Sequence, residues 1–206
     1  MSELRFSVIM ASRLEWYPNQ AQYIDQKLIR AIDSLLNQSY SNFELIVIAD
    51  DNNLTKDLVN SHFPGKTKLL EINHKGLFDN GPRNTGIDNA KGEFIIYCDI
   101  DDYWGADHLK IINEQLNDYK WVYYNDFVWD KRSDKWIQRA CNIRILGQCG
   151  TSNVCHRRDL GIRWGRPGYA HDYHFIKSLI KFTHKKRIET PEYYVMHIPG
   201  SGGYDL

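Results

Sequence analysis

Short apolar runs alternate with amphipathic segments through the first half of the chain. Phe6–Ala11 (FSVIMA) reads as a buried strand, and Phe43–Ala49 (FELIVIA), Thr67–Ile72 (TKLLEI) and Glu93–Cys98 (EFIIYC) read as three further strands. Between the first two, Ile24, Leu28, Ile32, Leu35 and Leu36 fall on one helical stripe. TKDLVNSHF reads as a short helix with Thr55 as its N-cap, and PRNTGIDNA as another with Pro82 in its first turn. This alternation predicts an α/β fold: a mostly parallel sheet covered by helices, with any ligand beyond the carboxyl ends of the strands.

From Trp121 the pattern changes. WVYYNDFVW and KWIQRACNI read as antiparallel strands around the turn DKRSDK. HDYHFIKSLIKF (His171–Phe182) reads as a helix with a stripe at Phe175, Leu179 and Phe182, and YYVMHI (Tyr193–Ile198) as a last strand before the glycine-rich PGSGGYDL, expected to be mobile. The chain has 206 residues, enough for one domain with a sizeable core. Lys plus Arg equals Asp plus Glu at 26 each, so overall charge does not suggest a nucleic-acid or acidic-membrane partner. No apolar run approaches the ~20 residues of a membrane span, and the opening MSELRFSVIMAS does not read as a signal peptide. The spacing of Cys98, Cys141, Cys149 and Cys155 predicts reduced thiols in a cytosolic protein; Cys149, Cys155 and His156 do not have the spacing of a common zinc site.

The strand ends carry the candidate chemistry. Asp50-Asp51 follows the second strand, and Asp99, Asp101 and Asp102 follow the fourth. On an extended segment Asp99 and Asp101 project the same way and can serve one ligand. Hard Mg²⁺ or Mn²⁺ takes one or two such carboxylates, completing its shell with water and substrate phosphates. The plain alternative is an acidic turn with Asp102 capping the next helix, the commoner explanation for an isolated D-x-D; its place behind a buried strand favours the metal. Asp51 can accept from a nucleobase imide N–H or form an Asx turn. Arg83, near a helix start, can pair with a diphosphate or form a surface ion pair.

Asp172 opens a predicted helix after a Pro/Gly loop, as an N-cap or as a general base for a hydroxyl. His197 is a candidate metal ligand or a polar terminus of the last strand. Trp104, Trp164 and Tyr169 can offer flat faces to sugar rings or fill the core. His171 and His174 suggest a rival zinc hydrolase, for which a third ligand is lacking, and a non-catalytic nucleotide- or sugar-binding module is a further rival.

Together FSVIMASR, AIDSLLNQSYSNFELIVIADDNN and GPRNTGIDNAKGEFIIYCDIDDYWGADHL resemble, in order, the blocks of GT-A-fold glycosyltransferases of the family-2 type, and the likeness runs from Phe6 to about His197. The brevity is similar to that of minimal modules in large algal viruses. The resemblance implies a single GT-A (Rossmann-like) domain with a small antiparallel region. Its residues 1–102 would form the nucleotide-sugar half and 103–206 the acceptor half. It implies Mn²⁺ or Mg²⁺, a UDP-sugar donor, a glycan acceptor and a cytoplasmic setting. Position by position, Asp51 matches the uracil reader and Arg83 the arginine near base and diphosphate. Asp99 matches the carboxylate near ribose and metal-bound water, Asp101 the direct metal ligand, His197 the histidine completing the metal shell, and Asp172 the base of inverting members. Two positions depart: His171 stands where the family usually has an acid, and Arg13-Leu14-Glu15-Trp16 replaces the common Tyr-Asn after the first strand.

Overall fold

The computed structural model describes residues 4–14, 21–73, 80–130, 132–165, 168 and 170–196. Strands β1 (Phe6–Ser12), β2 (Phe43–Asp50), β3 (Lys68–Ile72) and β4 (Phe94–Tyr97) alternate with helices α1 (Ile24–Leu36), α2 (Asn53–His62) and α3 (Gly81–Asn89), as the apolar runs predict. Then follow β5 (Tyr103–Trp104), α4 (His108–Leu116), β6 (Trp121–Tyr124), β7 (Asp126–Asp130), β8 (Lys135–Arg139), β9 (Val154–Arg157), α5 (His171–Ile180), β10 (Lys185–Ile188) and β11 (Tyr193–Val195). The main sheet runs β10-β6-β9-β4-β1-β2-β3 and is parallel except for β9, which pairs antiparallel with β4 and β6. The order reverses at β1, flanked by β2 on one side and β4 on the other, so the switch point lies between β1 and β4.

Alternation within the strands divides the core in two. Val8, Met10, Leu45, Val47 and Ile96 face α1, α2 and α4 in one buried cluster, with Leu28, Ile32, Leu35, Val59 and Ile112. Ile9, Ile46, Ile48 and Ile95 face the other way, against Ile87 of α3 and Phe175, Ile176 and Leu179 of α5. Burying the Leu28, Ile32 and Leu35 side chains contributes roughly 5–9 kcal/mol, enough to fix α1 on the sheet. On the opposite face, α3 approaches through Gly86. A Cβ there would lie 2.5 Å from Ile9 Cγ2 and 3.1 Å from Ile48 Cδ1. This close packing sets the N-terminus of α3 at the switch point.

WVYYNDFVW is two strands, not one. The break is Asn125, whose buried side chain accepts from Cys141 N at 3.1 Å and Arg187 Nη2 at 2.9 Å, and donates to Glu189 O at 3.0 Å. There the chain leaves the main sheet and enters a second, ordered β5-β11-β7-β8. The expected β7–β8 hairpin is present, its turn bound by Asp130, which accepts from Arg132 N and Ser133 N at 3.3 and 3.2 Å. The N-cap of α2 is Asn52, not Thr55: Asn52 Oδ1 accepts from Thr55 N at 2.8 Å, while the Thr55 hydroxyl lies 2.8 Å from that of Ser12. Helix α5 ends at Ile180, leaving Phe182 beyond its stripe.

Cys141 and Cys149 form a disulfide, which corrects the expectation of four reduced thiols. Residues 142–148 turn back through Asn142 N–Gln148 O at 2.9 Å and Gln148 N–Ile145 O at 3.2 Å, bringing the two Cα atoms to 5.0 Å. Cys98 and Cys155 are buried free thiols. Among the described residues no helix is long and apolar enough to cross a membrane.

Candidate active site at the sheet switch point

The carboxyl end of β4 and the first turns of α3 and α5 bring together Asp99, Arg83 and Asp172. Asp99 leaves β4 with its backbone N–H donating to Ser152 Oγ at 3.0 Å, and its Oδ1 lies 3.3 Å from Arg83 Nη2. Arg83 projects from the first turn of α3, with its guanidinium 5.0 Å from the centre of the Trp164 ring. Trp164 is clamped by the next residue of the helix: Asn84 Nδ2 donates to Trp164 O at 2.9 Å and Asn84 Oδ1 accepts from Trp164 N at 3.0 Å. Arg83 thus has a fixed stacking surface and an ion pair with Asp99, an arrangement suited to an anion.

Asp99–Asp102 is a turn, not an extended segment. Asp102 N donates to Asp99 O at 3.3 Å, so the geometry expected for Asp99 and Asp101 from alternation does not hold. The turn still gathers hard oxygen donors in four residues: Asp99 has a side chain 37% exposed, and Asp101 is half-buried with its carbonyl bonded to Arg30 Nη2 at 3.0 Å. Among the described residues no three such side chains converge on one metal position, so these residues offer a magnesium-like ion at most the one or two carboxylates it takes from a protein. Asp102 does not cap α4. It is buried, accepts from Met196 N at 2.9 Å and from the Tyr193 hydroxyl, and so ties the turn to the end of β11. Burial, reinforced by Asp101 and Asp99, pushes its carboxyl well above the usual range. His197, next after Met196, lies outside the described residues, as does Tyr169.

Asp172 lies in the first turn of α5 and makes no capping bond to it. Its Oδ1 instead accepts from the Thr151 hydroxyl and lies 2.8 Å from His171 Nε2. Burial disfavours its charge, but the His171 hydrogen bond and charge, Arg83 and the Thr151 hydrogen bond outweigh this and hold it below the ordinary carboxylate value. The 3-10 turn Thr151–Asn153 therefore touches both halves of the site, with Ser152 at Asp99 and Thr151 at Asp172. Sequence reasoning missed this turn, whose polar residues Thr151, Ser152 and Asn153 are all buried in the fold.

Asp51 sits apart from this cluster. It is exposed at the end of β2, in the left-handed region at φ 48°, with its N–H donating to Ile72 O at 2.8 Å. Its neighbour Asp50 is buried, 3.8 Å from Arg13 Nη1. Trp104 and Trp164 are core residues, 2% and 3% exposed, rather than open sugar platforms. Zinc readings lose their ligands: Cys149 is in the disulfide, and His156 is bonded to Tyr97 and Arg157 O. His171 spends both ring nitrogens on Gly168 O at 2.8 Å and on Asp172.

Comparison with known proteins agrees with this architecture. The chain is 34% identical over 128 residues to the UDP-Glc:alpha-D-GlcNAc-diphosphoundecaprenol beta-1,3-glucosyltransferase WfgD of Escherichia coli, a match covering 58% of this chain and 50% of that protein. It is 30% identical over 114 residues to the amylovoran biosynthesis glycosyltransferase AmsB of Erwinia amylovora, covering 53% and 35%. The matches thus span between about a third and half of those relatives. The fold resembles that of Staphylococcus aureus TarS 1–349 in complex with UDP-GlcNAc at a TM-score of 0.73 and 19% identity, covering 97% of this chain and 61% of that one. It also resembles the mannosyltransferase PcManGT of Pyrobaculum calidifontis in complex with GDP-Man and Mn²⁺, at 0.63 and 18%, covering 98% and 59%. Residues 7–141 match the model of glycosyl transferase family 2, and the chain belongs to that family.

Proposed function

We propose that the protein transfers a hexose from a UDP-sugar to a carbohydrate hydroxyl by a single, inverting displacement. The observation that carries this reading is the convergence of Arg83, Asp99 and Asp172 at the switch point, joined through the Thr151–Asn153 turn. Family membership and the UDP-sugar named for WfgD support the donor class. Residues 1–102 are assigned to donor binding and 103–206 to the acceptor. Asp51 is assigned to the uracil imide and Asp99 to the ribose side of the donor. Asp101, Asp99 and His197 would hold a Mn²⁺ or Mg²⁺ ion, which supplies a Lewis acid for the diphosphate.

Asp172 takes the proton of the acceptor hydroxyl as its oxygen attacks the anomeric carbon. The bond from that carbon to the diphosphate breaks as the new one forms, and UDP departs with the electron pair. Arg83 offsets the charge gathered on the departing diphosphate. Two donors already occupy Asp172 Oδ1, leaving Oδ2 as the proton acceptor. The test is a panel of UDP-sugars with Mn²⁺ and oligosaccharide acceptors, read by UDP release and the anomeric configuration of the product. Turnover of one donor with inversion is expected, and Asp172→Asn should retain UDP binding while losing about 10²-fold or more in transfer. Retention of configuration, or normal transfer by that variant, would refute the mechanism.

A further inference from the structure

We propose that His171 is a positioning residue for Asp172, holding one carboxylate oxygen so that the other faces the acceptor hydroxyl. The inference rests on the reading of Asp172 as the base. It is carried by a chain of contacts that leaves the imidazole little freedom. Nδ1 lies 2.8 Å from Gly168 O; a carbonyl oxygen can only accept, so Nδ1 carries hydrogen. Nε2 lies 2.8 Å from Asp172 Oδ1, and with the carboxylate ionised this contact requires hydrogen on Nε2 as well. The ring is 8% exposed, with Trp164 5.8 Å away between centroids. Trp164 in turn stacks on Phe175, from the next turn of the same helix, at 3.9 Å and 1° between planes, while Asn84 holds its backbone from α3.

One indole thus lies against both the cation of the donor side, Arg83, and the histidine that holds the base. Among the described residues, the charged groups acting on Asp172 are His171 on its own helix and Arg83 on α3, with Asp99 of the β4 end behind Arg83. A fold-only role for His171 would be met by any side chain filling the same space. A positioning role demands a donor at Nε2, and its charge favours ionised Asp172.

His171→Phe keeps a ring but removes both hydrogen bonds, and His171→Gln restores a neutral donor. In steady-state transfer, His171→Phe should lose about 10²-fold in kcat with donor KM within about twofold, and His171→Gln should recover most of the loss. Both variants lack the favourable charge, so the acid limb of the rate profile should move to higher pH in each. Carboxyl ¹³C NMR of the ligand-free protein, with Asp172 assigned by Asp172→Asn, should show the same upward movement without any turnover. Normal kcat and an unmoved acid limb in His171→Phe, with Asp172→Asn inactive, would overturn the positioning role and leave the base intact. Normal transfer by Asp172→Asn would overturn both. Should His171→Phe fail to fold by circular dichroism, an Asp172 resonance in His171→Gln titrating as in the wild type overturns the proposal.

Discussion

Asp102→Ala should destabilise the fold by removing the acceptor of two buried donors. Asp102 is 4% exposed and accepts from the Tyr193 hydroxyl and from Met196 N, residues themselves 3% and 5% exposed. Truncation leaves both donors buried without that acceptor, at a cost of about 1–3 kcal/mol each. Removing a carboxyl whose charge is disfavoured by burial returns part of this, so the net loss should be on the order of 3 kcal/mol. For a chain of this length that lowers Tm by on the order of 10 °C. Asp102→Asn keeps the volume and one acceptor and should stay within about 1 kcal/mol of the wild type. Urea unfolding followed by tryptophan fluorescence measures both, since Trp104 is buried close by. Tyr193→Phe supplies the decisive control: it removes one stranded donor, so Asp102→Ala should cost less in that background than alone. Equal costs in the two backgrounds, or an alanine variant as stable as the wild type, would refute the reasoning.

Thiol counting tests the Cys141–Cys149 bond: urea without reductant should expose two reactive thiols, from Cys98 and Cys155, and reductant should raise the count to four. Four thiols without reductant would contradict it. Gly86→Ala should cost about 1–3 kcal/mol in the same urea experiment, because its Cβ meets Ile9 Cγ2 at 2.5 Å; an unchanged midpoint would show that α3 packs less closely. Burial pushes His108 down to about 3 and His156 down to about 4. Both stay neutral in the fold while the unfolded chain takes up protons, so stability should fall as pH drops below about 6.5, by up to about 1.4 kcal/mol per unit for each group. His108→Phe should flatten that slope; a slope unchanged by the substitution would remove His108 from the account.

The parallel half of the fold was legible because β1, β2 and β4 are largely buried on both faces, leaving near-continuous apolar runs, with one clean helical stripe between the first two. The second half hid its elements for separate reasons. Lys185–Ile188 is an edge strand whose lysines and arginine mask its pairing with β6. Val154–Arg157 is four residues long and antiparallel among parallel neighbours. The helix His108–Leu116 did carry a stripe, Leu109, Ile112 and Leu116, within reach of the same periodicity argument. Asn125 looks like one polar residue within a strand; its role as the crossing point depends on Cys141, Arg187 and Glu189, all distant in sequence.

In the site, strand-end position made Asp99 legible as a candidate, and places near helix starts did the same for Arg83 and Asp172. The orientation of the Asp99–Asp102 turn was not, because a hydrogen bond from Asp102 N to Asp99 O, together with the tie to β11, overrides strand alternation. Thr151 and Ser152 were invisible for a similar reason: a hydroxyl beside a carboxylate has no sequence periodicity. The disulfide needed the fold of residues 142–148 to bring its two cysteines together.

Calorimetric titration of UDP into the protein with Mn²⁺ and then with EDTA, for the wild type and Asp101→Asn, probes the central assignment most directly. Saturable binding that weakens at least about tenfold on chelation or substitution is the predicted result. UDP binding that is absent, or equally tight in all four titrations, would contradict the assignment of the rim carboxylates to a metal-assisted diphosphate site.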